Sequence, residues 1–95
     1  MSSEKLVGGW EIINQEGCNL PQEVATAFSK VVEHMAGAKY VPALYCAKQL
    51  VSGTNHMLIC EQTLVTNPAT KHIVKTVLYI PLDGPPTFTS IETII

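Results

Sequence analysis

Three runs of β-forming residues dominate the middle of the chain, and only short breaks separate them. KYVPALYCAKQLV (39–51) and TNHMLICEQTLV (54–65) flank the pair Ser52-Gly53, and HIVKTVLYI (72–80) follows through the polar turn TNPAT (66–70). These runs are rich in β-branched and aromatic residues, and connections this tight join antiparallel neighbours, whereas parallel strands need a crossover of a dozen or more residues. The segment PLDGPP (81–86) holds three prolines and a glycine, so ladder pairing stops there and a loop forms. TFTSIETII (87–95) then alternates as a last strand, and WEIINQE (10–16) reads as a short first one, broken by Gly17-Cys18-Asn19.

Between the first strand and the long ones the periodicity changes. In LPQEVATAFSKVVEHMAG (20–37) the apolar positions Val24, Phe28, Val31, Val32 and Met35 recur at spacings of three and four, which predicts an amphipathic helix. Pro21 suits the first turn, where its missing N–H has no partner to lose. Leu20 is then the boundary, because a residue before proline avoids helical torsions, although Asn19 has the better capping side chain. Gly37 is the expected stop. A meander of antiparallel strands leaves one face needing cover, and this helix is the available cover. The expected fold is α+β, one helix lying across a four- to five-stranded antiparallel sheet.

Length and composition narrow the classes. Ninety-five residues suffice for one core, so residues 1–95 form a single domain. A net charge of −2 with scattered Lys and Arg offers no footprint for nucleic acid. No stretch approaches the roughly 18 uninterrupted apolar residues of a membrane span, and MSSEKLVGGW is no signal peptide, so a cytoplasmic protein is expected. Three cysteines, Cys18, Cys46 and Cys60, make no closed disulfide framework, and Cys46 and Cys60 fall in strands as small buried hydrophobes. His34, His56 and His72 lack metal-ligand spacing, so no metal or cofactor is expected. His56 falls just behind the turn at Ser52-Gly53, where it would fringe any interface formed there.

The turn itself is unusual, because QLVSG (49–53) puts apolar residues at a tip, where Gly, Asn, Asp or Pro normally stand. An apolar tip implies a partner. Alternate connections of a meander fall at one end of the sheet, so the tip and the 81–86 loop should lie side by side. The chain entering the first strand through Leu6-Val7-Gly8-Gly9 reaches the same end if that strand pairs beside the hairpin.

These residues and this element order resemble the cystatins, and in particular their single-domain, disulfide-free branch, the stefins. Leu6-Val7-Gly8-Gly9 matches the family's N-terminal trunk, and Gln49-Leu50-Val51-Ser52-Gly53 fits its Gln-x-Val-x-Gly hairpin. Pro81 matches the proline of the second loop, but Leu82 stands where many members have tryptophan. The resemblance implies reversible, competitive inhibition of papain-like cysteine proteases of the cathepsin type. In that scheme the trunk and the two loops wedge into the active-site cleft: Leu6 and Val7 fill apolar pockets, Gly8 and Gly9 let the trunk turn away from the catalytic centre, Val51 is the central anchor, and Gln49 supplies an amide. Pro81 and Leu82 complete the ridge, with Pro85, Pro86 or Phe88 available to offset the missing indole.

Two other classes stand beside this one. A binding module on the same scaffold that has lost inhibition fits the Leu82 departure, and an enzyme built on Cys46 or Cys60 with a histidine needs an exposed, activated thiol. The expected state is a monomer. A domain-swapped dimer is a second state, if strain at β-branched Val51 is relieved by straightening the hairpin.

Overall fold

The computed structural model describes residues 9–13 and 19–95. In chain order these form β1 (Trp10–Ile12), α1 (Gln22–Val32), β2 (Ala38–Val51), β3 (Gly53–Leu64), β4 (Thr70–Ile80) and β5 (Thr87–Thr93). The strands build one antiparallel sheet of five in sequence order, β1-β2-β3-β4-β5. One helix against one antiparallel sheet is the α+β arrangement expected.

The β2–β3 ladder runs from Ala38 opposite Leu64 to Val51 opposite Gly53 and contains a proline in its interior, Pro42. It is tolerated because β1 pairs only with residues 47–49 of β2, so the first half of β2 is an edge with no second ladder to lose. Two irregularities, between Pro42 and Leu44 and between Tyr45 and Ala47, interrupt the register. The first lets Tyr40 and Tyr45, five residues apart, both pack on the core, which a strict two-residue alternation forbids.

The helix is shorter than its apolar pattern. Pro21 is not in the first turn but is the N-cap, in extended conformation (φ −55°, ψ 149°), and its carbonyl accepts the Ala25 N–H at 2.9 Å. The N-cap position thus falls one residue after the boundary expected at Leu20. At the other end the His34 and Met35 N–H groups donate to Val31 and Val32, three residues back, which tightens the chain and ends α1 near Glu33. Gly37, with φ 86°, therefore turns the chain into β2 instead of closing the helix.

Val24, Ala27 and Phe28 of α1 are buried against Tyr45, Leu58, Cys60, Val74 and Leu78 of the sheet, in one cluster. Phe88 of β5 closes that cluster edge-to-face with Phe28 (centroids 5.6 Å apart) and Tyr40 (6.0 Å). It is thus core rather than part of a binding loop. Thr76 is fully buried among these apolar groups and is satisfied by donating to the Leu58 carbonyl at 3.4 Å, with the Cys60 Sγ at 3.7 Å. Each large aliphatic or aromatic side chain here contributes about 1.5–3 kcal/mol through apolar burial.

Leu58 sits at the centre of this cluster with no exposed surface. Leu58→Ala is expected to lower the unfolding free energy by about 2–5 kcal/mol. Urea denaturation checks it: the midpoint falls while the slope stays that of the parent protein.

Candidate functional site

At one end of the sheet the β2–β3 hairpin turns through Ser52. The left-handed torsion of this turn belongs to Gly53, with φ 103°, and no described residue other than glycine has a positive φ. Val51 therefore does not carry the strain that its β-branched side chain led one to expect there.

Gly53 is also where two loops meet. A Cβ built on it would lie 2.5 Å from the Ile80 carbonyl oxygen and 2.8 Å from the Pro81 Cα, closer than real Cβ atoms come to such neighbours. The absent side chain is thus what lets the hairpin tip press on the start of the 81–86 loop. The Tyr79 hydroxyl adds a tie by donating to the Ser52 carbonyl. Pro81 is half-buried in this contact, while Leu82 just beyond it is 83% exposed.

On the other side of the hairpin, β1 brings Trp10 opposite Gln49. Gly9, immediately before it, is exposed with φ 78° and open space at its Cβ position. Gly9, Glu11, Lys48, Leu50 and Thr54 line a cleft of about 280 Å³ between strand and tip. Trp10 is itself half-buried. Leu6, Val7 and Gly8 lie outside the described residues.

Of the residues singled out in the sequence, Gly9, Gln49, Leu50, Val51, Ser52, Gly53, Pro81 and Leu82 thus come together at one end of the molecule. Leu50 is 85% exposed and Val51 43%, so the apolar tip does face solvent. Gln49 is less open than expected, since its side-chain oxygen accepts the Asn55 amide at 2.8 Å across the hairpin.

Behind the tip lies a buried polar pair. His56, expected at the fringe of an interface, is only 6% exposed, and its Nδ1 is 2.7 Å from the Tyr45 hydroxyl. Burial, with smaller contributions from Glu23 and Glu11, pushes the Tyr45 phenol up to about 12. Burial also holds the His56 imidazole below its usual range; Glu23 opposes this and Lys48 reinforces it. Cys60 is buried beside Thr76, as expected for a core thiol, whereas Cys46 is only half-buried and stands at the second irregularity of β2, with Sγ 3.9 Å from the Leu44 carbonyl.

Sequence reasoning missed the Tyr79 tie, the burial of His56 and the core role of Phe88. Strand alternation carries the signal for His56, which shares its phase with Leu58 and Cys60. No local pattern signals the Tyr79 bond, which spans 27 positions in the chain.

Comparison with protein-family models, with characterised proteins and with solved structures finds no match to this chain.

Two glycines separate the role of close approach from that of torsion. Gly84 has φ 111° but only the Pro81 Cγ near its Cβ position, at 3.9 Å. Gly84→Ala is expected to cost about 1–2 kcal/mol of stability from torsion alone, and Gly53→Ala clearly more, since its Cβ also meets backbone. Thermal unfolding of the two variants side by side checks the order. Equal losses would remove the packing argument.

Proposed function

We propose that this protein is a reversible, competitive inhibitor of papain-like cysteine proteases. The observation that carries the reading is the backbone contact between Gly53 and Ile80-Pro81, which joins the hairpin tip and the second loop into one block with Leu50, Val51 and Leu82 exposed on it. The resemblance of Leu6-Val7-Gly8-Gly9, Gln49–Gly53 and Pro81 to the cystatin pattern supports the same reading, as does the one-helix, five-stranded architecture.

On this account the block enters the protease cleft without offering a bond to cleave. Val51 and Leu50 remove apolar surface from water, and little ordering entropy opposes them, because the ladder, the Gly53 contact and the Tyr79 bond hold the tip in shape before docking. Gly9 lets the trunk turn aside without a side chain in the way, and Leu6 and Val7 occupy apolar pockets beyond it. Leu82 provides less area than an indole and no N–H donor, so the second loop binds more weakly than a tryptophan-bearing one. The partner is a cathepsin-type protease, and the cytoplasm is the proposed compartment; among the described residues no helix is long and apolar enough to cross a membrane.

Leu82 also favours a second reading, a binding module on this scaffold that does not inhibit. Titration of papain with the protein, read with a peptide substrate, separates the two. Competitive inhibition is expected, weakened at least about tenfold by Val51→Asp and strengthened by Leu82→Trp. Undisturbed hydrolysis at a large excess of the protein would leave the module reading.

A further inference from the structure

The residue behind the inhibitory tip that the proposed mechanism does not use is His56. It stands in β3 opposite Lys48 of β2 and Leu78 of β4, one position from the Asn55–Gln49 pair that begins the tip. Two residues past Leu78 is Ile80, whose carbonyl packs against Gly53. His56 therefore sits at the base of both arms of the block, enclosed beneath the sheet's helix-covered face.

We infer that His56 is an acid-sensitive pin: protonation of its buried imidazole loosens the hairpin tip from the second loop and so weakens the hold on a protease in acid. The protease part of this rests on the inhibitor reading, while the loosening of the tip stands on the structure of the free protein.

The charges around the ring decide the sign. From α1, Glu23 favours the protonated ring; from β2, Lys48 disfavours it and the Tyr45 hydroxyl hydrogen-bonds to it; from β4, aliphatic Leu78 stands opposite; and Glu11 of β1 acts on the Tyr45 phenol. Glu23 is on the far side of the balance from burial and Lys48, and burial is the largest influence. The closed hairpin thus prefers neutral His56, whereas an opened one exposes an imidazole that takes up a proton near pH 6.5. A group with a depressed native pKa contributes stability that is fully present above pH 6.5 and is lost as pH falls towards the native value. At pH 5 the opening equilibrium rises by at most about 30-fold, the limit set by 1.5 pH units below the open-state value.

Amide hydrogen exchange of residues 49–57 in the free protein at pH 7.5 and pH 5.0, corrected for intrinsic rates, tests the pin. Wild type is expected to show a several-fold to about 30-fold rise in opening at pH 5.0, absent in His56→Gln. No rise in wild type, or an equal rise in both proteins, overturns the inference. Should His56→Gln fail to fold, the ring titration of wild-type His56 by NMR decides: a midpoint below 6.5 accompanied by shifts of the 49–55 amides supports the pin, and a midpoint at or above 6.5 overturns it. Papain inhibition at the two pH values is then compared, wild type against variant. Absence of inhibition even at pH 7.5 counts against the inhibitor reading, and the exchange result still decides the pin.

Discussion

The approach of Gly53 to the backbone at Ile80 and Pro81 is the contact on which the candidate site of this molecule depends. Two connections separated by about thirty residues of chain would otherwise be independent turns, each free to move at the end of its own strands. With no side chain between them, carbonyl and Cα come within the distance that a Cβ would occupy, and the Tyr79–Ser52 bond fixes the pair from the side. On the proposed reading, rigidity at this point is what makes apolar exposure at Leu50 and Val51 useful, since a surface already held in its bound shape would lose little freedom on docking.

The sheet delivers that contact through ordinary β physics. Long ladders between β2, β3 and β4 put the hairpin tip and the β4–β5 loop at the same end, and the helix covers one face with Val24, Ala27 and Phe28. The short pairing of β1 is equally consequential. It leaves Pro42 harmless at an edge and still carries Gly9 beside the tip. Inside, polar groups are placed with partners: Thr76 on the Leu58 carbonyl, His56 on Tyr45. The second pair is the one that can gain a charge, by protonation of His56, and it lies directly behind the exposed end.

Long-period features were legible in the sequence. Strand runs at 39–51, 54–65 and 72–80 fall within or beside β2, β3 and β4, since β-branched and aromatic density sustained over runs this long leaves little alternative. The helix was legible in its face but not its ends, because apolar spacing continues to Met35 while the hydrogen bonds tighten at Glu33. Pro21 misled for a related reason: its fixed φ suits an N-cap in extended conformation as well as a first turn. At the site, Gln49–Gly53 was identified through apolar residues at a turn, a local signal, and Pro81-Leu82 through the resemblance to the cystatin second loop. What remained hidden was non-local, namely the Tyr79 bond and the use of Phe88 between Phe28 and Tyr40, whereas the enclosure of His56 follows the alternation it shares with Leu58 and Cys60 and was missed. The expected strain at Val51 was misplaced by two residues, since glycine was available to take the torsion.

The central claim is that one contiguous end of the sheet meets the protease. NMR mapping of the isotopically labelled protein with papain whose catalytic cysteine carries a small cap tests it directly. The account predicts that amide perturbations concentrate at Gly9, Gln49–Gly53 and Leu82 and spare the solvent face of α1. Perturbations centred on α1 or on the Ala38 end of the sheet, or none at saturating papain, would contradict it.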